Sequence, residues 1–229
     1  MSTADTEQQR LKQRLRDRVR ERRAALGDAE SEAAGAALER RLRELVLGLG
    51  ARRIACYLPR RGEPDTRAFL GWASSHGVEA LLPVPGGDRT LRWAPHRAGR
   101  TAPGAFGIEE PIGPHRGSEA LDDVELVLVP AAAVDRRGRR LGWGLGYYDR
   151  ALAALGSQVP VFAVVHDWEL LDELPSEAHD IPVSGVVTPS RTLVFDPSDR
   201  PGTPGAGRAP LTGPAEAPRD RAEAQQRTE

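Results

Sequence analysis

The sequence predicts an α/β fold in which a mostly parallel central sheet is covered by helices on both faces. Apolar, strand-like segments alternate with helical ones along the chain, which is the pattern of right-handed βαβ units. Two of the segments, VELVLVP (124–130) and VPVFAVV (159–165), are almost uninterrupted apolar runs, as expected of strands buried on both faces. A glycine-rich loop and a predicted helix lie between these two strands.

The first fifty residues are predicted to form two helices. In residues 5–26, Leu11, Leu15 and Val19 recur at i+4 spacing among many arginines, so this helix is amphipathic with a basic outer face. Asp28 can cap the second helix, which ends near Gly48 or Gly50. The apolar stripe of the second helix is Leu38, Leu42, Leu45 and Leu49.

The next segment has the pattern of a βαβ unit. Residues 52–59 and 78–84 are strand-like, and 65–77 form a capped helix between them. Residues 86–118 are rich in Gly, Pro, Arg and His, which predicts a loop with a short hairpin around 91–94.

The second half continues the alternation and then changes character. A helix is predicted over 147–155 and short final strands over 184–195. From Asp196 the chain contains Pro, Gly, Ala and charged residues with one Leu and no aromatic residue, so we expect a disordered tail over 196–229. Residues 5–195 would then form a single domain.

Composition excludes several classes of function. Of the 229 residues, 39% are hydrophobic and 28% charged, and the net charge of −1 gives no general attraction to nucleic acid or acidic lipid. A single cysteine cannot form an internal disulfide, and the chain has neither a signal-peptide pattern nor a membrane-length apolar run. We expect a cytoplasmic monomer. The histidines lack zinc-site spacing, and no G-x-S-x-G elbow presents a nucleophile.

The loop GRRLGWGLGYYDRAL (138–152) is the main candidate site. Gly142, Gly144 and Gly146 let backbone N–H groups approach a ligand closely, and the N-terminus of the next helix favours an anion such as phosphate. The pattern is neither the dinucleotide fingerprint nor a Walker A loop. On mechanism alone, a glycine-rich turn among solvated arginines explains the pattern equally well.

A few polar residues could complete this site. Lys12, the only lysine of the chain, lies four residues before Arg16, so both share a helix face and could clamp phosphates. Asp149 in a first helical turn could help to hold a hard cation, and Glu63 follows a strand at its carboxyl end. A solvated basic face and an ordinary helix-start carboxylate are the alternatives.

The motifs taken in order resemble a known family, that of the 5-formyltetrahydrofolate cyclo-ligases, also called methenyltetrahydrofolate synthetases. The resemblance spans roughly residues 10–195, and its most specific part is the long block around the glycine loop. The matching segments are KQRLR (12–16), YLPRRGEPDT (57–66), FGIEEP (106–111), LVLVPAAAVDRRGRRLGWGLGYYDR (126–150) and LPSEAHDIPVSGVVTP (174–189).

The resemblance implies a three-layer α/β/α domain of the NagB/RpiA/CoA-transferase kind and a reaction that depends on ATP and Mg²⁺. In this family, 5-formyltetrahydrofolate becomes 5,10-methenyltetrahydrofolate with release of ADP and phosphate. Phosphorylation of the formyl oxygen followed by attack of N10 requires positioning and charge neutralisation rather than a protein nucleophile.

The resemblance also implies roles for individual residues. Catalytic roles fall to Lys12, Arg140 and Tyr147, and magnesium contacts to Asp149 and Asp180. The expected nucleotide-binding residues are Lys12, Arg16, Arg140, Leu141, Gly142, Trp143, Gly144, Leu145, Gly146, Tyr147, Tyr148 and Asp149. The expected contacts to the reduced folate are Glu63, Tyr57, Trp143 and Tyr147.

Three positions depart from the family's pattern. Leu145 stands where Gly or a basic residue is expected, Trp143 where Arg, Met or another aromatic is usual, and Ser184 where Asp is expected. A related ATP-dependent ligase or kinase with another small substrate is therefore the alternative reading. A nucleic-acid-binding module is a further alternative, but Asp17 and Glu21 interrupt the basic face of the first helix.

Overall fold

The computed structural model describes residues 3–87, 89–156, 158–175 and 181–196. Four α-helices are found in this part of the chain: α1 (Thr3–Ala24), α2 (Asp28–Leu49), α3 (Arg67–Ser75) and α4 (Tyr147–Ala153). The strands, in chain order, are β1 (Arg53–Ala55), β2 (Glu79–Pro85), β3 (Leu91–Pro95), β4 (Thr101–Pro103), β5 (Glu109–Pro111), β6 (Leu126–Pro130), β7 (Ala133–Asp135), β8 (Arg140–Leu141), β9 (Val161–Val164), β10 (Leu170–Leu171), β11 (Gly185–Val187) and β12 (Thr192–Val194).

The main sheet has seven strands in the order β12-β11-β9-β6-β1-β2-β3. Its five inner strands are mutually parallel, and the two outer strands, β3 and β12, run antiparallel to their neighbours. The predicted mostly parallel sheet is confirmed. The apolar segments around 126–130 and 161–164 are its central strand, β6, and the neighbouring inner strand, β9. Parallel order places the loops that follow β1 and β6 side by side at one edge of the sheet.

Two apolar layers cover this sheet. Leu126 and Leu128 face a cluster that contains the buried residues of α2 and α3, whereas Val127 and Val129 face a cluster that includes Leu152 of α4. Successive residues of β6 thus alternate between the faces, as a strand's period of two requires. The three-layer arrangement follows from this alternation.

The first helix packs mainly against a smaller sheet, in the strand order β10-β7-β8, that the sequence did not predict. Val19 of α1 is buried against this sheet, whereas Leu11, which we expected in the apolar stripe, is 39% exposed. The strands β7, β8 and β10 contain only two or three residues each, which is too short for a periodic apolar pattern.

Other boundaries also differ from the sequence-based expectations. The N-cap of α2 is Gly27 rather than Asp28, which lies in the first turn. Gly50 ends that helix in the left-handed conformation, with φ of 66°. The N–H groups of Gly50 and Ala51 close the last turn by donating to the carbonyls of Leu47 and Val46. The segment expected to be mostly loop, 86–118, contains one edge strand of the main sheet, β3, and the hairpin β4-β5.

The proposed tail beyond Asp196 lies outside the described residues, so the division of the chain stays a prediction.

The packing of α2 gives a direct test of the core. Leu38 is completely buried and Leu47, on the same helix, is 66% exposed. Leu38→Ala should lower the free energy of unfolding by about 3 kcal/mol, since buried leucine truncations leave a cavity. Leu47→Ala should change it by less than about 0.5 kcal/mol. Urea denaturation of both variants measures the difference, and equal losses would contradict this assignment of the buried face.

Candidate active site

A cavity opens where the turn after β1, the β2-β3 hairpin and the glycine loop meet. One wall is apolar, with Leu82, Pro83 and Leu91 from the β2-β3 hairpin and Ile108 from the following segment. The glycine loop forms much of the opposite wall, from Gly142 to Asp149. The mixture of apolar walls with a few polar groups is typical of a small-molecule site.

A second, more polar cavity adjoins the first and lies between α1 and the glycine loop. Lys12 and Arg16 line it from the helix, while Arg140, Leu141 and Asp149 line it from the loop side. Both cavities share five residues of the loop region: Arg140, Gly142, Gly144, Gly146 and Asp149. The same loop therefore borders both cavities.

The glycine loop is fastened to α1 by a hydrogen bond. The Arg16 Nε donates to the carbonyl of Gly142 over 2.7 Å, so the guanidinium lies against the loop. Gly144 and Gly146 have φ of 87° and 73°, a backbone region that residues with a Cβ rarely adopt. The two glycines thus allow the loop to turn tightly beside Arg16 before α4 begins.

Several cations line the polar cavity. Lys12 is only 7% exposed and Arg140 only 8%, so both positive charges are held in largely desolvated surroundings. Burial makes a charge interact more strongly with an opposite charge. These cations suit an anion with several negative oxygens, and the phosphate site expected from the glycine pattern and the Lys12–Arg16 spacing stays a prediction.

Asp149 pairs with Arg140 inside this cavity. The carboxylate accepts a hydrogen bond from Arg140 Nη2, and its side chain is 46% exposed. Within the described residues no three acidic, His or Cys side chains cluster as a metal site would require. One carboxylate still fits Mg²⁺, because nucleotide-bound magnesium takes one or two carboxylates and completes its shell with phosphate oxygens and water. Asp180, the other predicted magnesium residue, lies outside the described residues.

The buried carboxylate of Glu63 and three tyrosines, Tyr57, Tyr147 and Tyr148, line the apolar cavity. Glu63 is 8% exposed and lines the cavity beside Tyr57 and Tyr148. Desolvation raises the pKa of Tyr57 and of Tyr148, and the negative charge of Glu63 raises both further. Both phenols therefore stay neutral. The hydroxyl of Tyr57 already donates to the carbonyl of Pro64, so this tyrosine contributes its ring to the wall.

The structure brings together every predicted site residue in the described part of the chain. Tyr57, Glu63, Trp143, Leu145, Tyr147 and Tyr148 line the apolar cavity, and Lys12, Arg16 and Leu141 line the polar one. What each residue binds stays a prediction. Leu145, the departure noted in the sequence, is 43% exposed at the cavity wall, and Ser184 instead lies in the core and accepts from the N–H of Val161.

Several lining residues were not predicted. Gln9 and Gln13 line the polar cavity on the same helix face as Lys12 and Arg16, and helical spacing could have indicated them. Arg60, Glu109 and Glu110 line the apolar cavity. All three lie within motifs that match the family, YLPRRGEPDT and FGIEEP, but no role was predicted for them individually.

The fold and the two cavities define an α/β protein whose candidate site joins an end lined by cations to an apolar end. The chain belongs to the 5-formyltetrahydrofolate cyclo-ligase family, because the sequence model of that family matches residues 8–189. None of the helices in the described ranges is both long and apolar enough to cross a membrane.

Individual relatives agree with this assignment. A 5-formyltetrahydrofolate cyclo-ligase of Mycolicibacterium smegmatis is 40% identical over 153 residues, which cover 65% of this chain and 79% of the relative. A 5-formyltetrahydrofolate cyclo-ligase of Escherichia coli strain K12 is 30% identical over 177 residues, covering 75% and 96%. The solved 5,10-methenyltetrahydrofolate synthetase of Aquifex aeolicus superposes with a TM-score of 0.71 at 29% identity, covering 87% of this chain and 95% of that one.

The positive φ of Gly144 can be tested by substitution. Gly144→Ala should lower the free energy of unfolding by about 1–2 kcal/mol, because the alanine Cβ is strained at φ of 87°. Gly48, exposed in α2 with open space around it, is the matched control. Gly48→Ala should raise stability by up to about 1 kcal/mol. Equal effects in thermal unfolding would show that the loop does not require glycine at 144.

Proposed function

We propose that this enzyme closes the ring of 5-formyltetrahydrofolate to give 5,10-methenyltetrahydrofolate, with ATP and Mg²⁺ as co-reactants and ADP and phosphate as products. The observation that carries the proposal is the pair of cavities that share the loop from Arg140 to Asp149. The polar cavity suits the triphosphate and the apolar cavity the flat ring system of the folate. The shared loop is where the γ-phosphate and the formyl group would meet.

The chemistry requires activation of a poor leaving group. The formyl oxygen attacks the γ-phosphorus, the bond from phosphorus to ADP breaks, and an iminium phosphate forms at N5. N10 then attacks the formyl carbon, and loss of the N10 proton and of phosphate leaves the methenyl cation. Each step gains from holding the reactants in line and from neutralising phosphate charge rather than from a protein nucleophile. Cys56 is unsuited to that role, because burial raises the pKa of its thiol to about 12.

The cations of the polar cavity supply charge neutralisation. Lys12 and Arg16 would contact the phosphates from α1, and Arg140 would contact them from the loop side. Because Lys12 and Arg140 are largely buried, their charges act on the transferring phosphoryl group with little screening. Magnesium, when bound with the nucleotide, would neutralise further phosphate charge, and Asp149 is the described carboxylate that would hold it.

The apolar cavity would orient the folate. The carboxylate of Glu63 can accept paired hydrogen bonds from the amino group and ring N–H of the pterin, which fixes the ring in the plane of the carboxylate. Tyr57, Trp143 and Tyr147 would flank the bound substrate as aromatic walls. Tyr147 begins α4 at the shared loop, so we place it at the reacting end.

As part of the same proposal, the enzyme acts as a cytoplasmic monomer, consistent with its single, buried thiol.

The reaction itself is the first test. Purified protein mixed with 5-formyltetrahydrofolate and Mg-ATP should show a rise in the near-ultraviolet absorbance of the methenyl product. Omission of ATP, or chelation of Mg²⁺, should abolish the rise. A flat trace from protein that is folded and binds ATP would reject the folate substrate and favour a related ligase or kinase with another small substrate.

The role of Lys12 can be separated from general effects of helix charge. Lys12→Met should raise the KM for ATP by roughly 10- to 100-fold, since a hydrogen bond to a charged group is worth about 1.5–3 kcal/mol. The KM for the folate should change little. Arg14→Met, an exposed cation two residues along the same helix, is the matched control and should leave both KM values near those of the wild type. Similar changes in the two variants would remove Lys12 from the phosphate site.

A further inference from the structure

Three buried charged residues, Glu63, Arg23 and Glu169, form a connected series that begins at the apolar cavity. Glu169, which follows β9, is completely buried, and Arg23, in the last turn of α1, is 6% exposed. The Arg23 Nε and Nη2 donate to the two carboxylate oxygens of Glu169 over 2.6 and 2.9 Å. Burial raises the pKa of Glu169, and the two donated hydrogen bonds oppose that rise by favouring the ionised carboxylate.

The remaining face of the Arg23 guanidinium is directed at Glu63. Its Nη1 lies 3.7 Å from Glu63 Oε1, and within the described residues this nitrogen is buried without a hydrogen-bond partner. The guanidinium also lies 5.1 Å from the centre of the Trp143 ring. One side chain therefore contacts two residues that we assign to the folate.

A second route links Glu169 to the same turn. Glu169 Oε2 accepts a hydrogen bond from the N–H of His166 over 2.8 Å, and His166 Nε2 lies 3.1 Å from the carbonyl oxygen of Gly62. Gly62 has φ of 81°, and a Cβ at this position would lie 2.9 Å from the Cβ of Arg23. The turn that presents Glu63 is thus pressed closely onto α1 and held from both sides by groups bonded to Glu169.

We propose that Glu169 is a positioning residue for the folate, which acts through Arg23 to fix the carboxylate of Glu63 in the orientation that binds the pterin. Two of the five N–H donors of Arg23 are used on Glu169, and a further contact goes to the carbonyl of Ala131. With these contacts in place the guanidinium cannot rotate, and its positive charge stays under Glu63. This inference rests on the proposed function, because it assigns Glu63 to the folate.

The test is a double-mutant cycle on folate affinity. The equilibrium dissociation constant of 5-formyltetrahydrofolate would be measured by calorimetry, without ATP, for wild type, Glu63→Gln, Glu169→Gln and the double variant. We expect Glu63→Gln to weaken binding by roughly 30-fold and Glu169→Gln by roughly 10-fold. If Glu169 acts through Glu63, the double variant should bind within about twofold of Glu63→Gln alone.

A purely structural role gives a different result. Losses that multiply in the double variant, or a Glu169→Gln variant that binds folate like the wild type, would overturn the inference while leaving the proposed function intact. If Glu63→Gln itself binds normally, the assignment of Glu63 to the folate fails and the inference fails with it. If the wild type binds no folate and forms no product, the proposed function fails first.

Two further variants control for folding and for general distortion. Glu125→Gln removes a carboxylate that accepts hydrogen bonds from the N–H groups of Arg52 and Arg53, just before β6 begins, and should leave folate binding unchanged. If Glu169→Gln does not fold, Arg23→Lys replaces it in the cycle, since it keeps the charge but loses the paired geometry, and the same coupling to Glu63 is expected. For Glu169→Gln or Arg23→Lys, the KM for ATP should stay within about twofold of wild type. A rise in the KM for ATP as large as the loss of folate affinity would contradict a folate-specific role.

Discussion

The buried ion pair between Arg23 and Glu169 is the interaction on which the assembly of the site depends. The helix α1 contributes few apolar side chains to packing, chiefly Val19 with partial burial of Leu15, so its position needs another restraint. Arg23 anchors the end of the helix, and Arg16 fastens its middle to the carbonyl of Gly142. Lys12 lies eleven residues before Arg23, about 16 Å along a rigid helix. Removing one partner of such a buried pair typically costs about 3–5 kcal/mol, because the other charge stays buried and unpaired.

The second constraint is the burial of the main sheet on both faces. Apolar residues on each face of β6 pack against a separate layer, which leaves the edges of the sheet as the places where polar groups can gather. Because β1 and β6 are adjacent and parallel, their following loops emerge at the same edge. The loop after β1 carries Glu63, and the connection from β6 to β9 carries the three glycines beyond the short strands β7 and β8. The order of strands thus brings together residues about eighty positions apart in sequence. The small sheet then supports the second loop and gives α1 a surface on which to pack.

Local sequence patterns predicted many of the helices and strands of the fold, but few of the contacts that hold them together. Unbroken apolar runs predicted β6 and β9, and the i+4 leucines predicted α2, because these signals depend only on local periodicity. The small sheet escaped prediction since its strands are two or three residues long. The glycine loop, Lys12 and Glu63 were predicted from motif and resemblance, and all line the cavities. Arg23 and Glu169 were not predicted, because a buried pair separated by 146 positions looks in sequence like two surface charges among many.

The distribution of charge explains why two substrates would bind in only one arrangement. Among the described residues, the lining of the polar cavity includes four cations, Arg10, Lys12, Arg16 and Arg140, and one carboxylate, that of Asp149. Such a lining would suit phosphates. The apolar cavity contains Glu63 close to the positive charge of Arg23. A phosphate chain placed beside Glu63 would meet a buried carboxylate, and a pterin placed beside Lys12 would leave that carboxylate without its hydrogen-bond donors. Under the proposed function, both wrong arrangements would incur desolvation costs without compensation. The buried charges would then favour the orientation in which a γ-phosphate faces a formyl oxygen across the glycine loop.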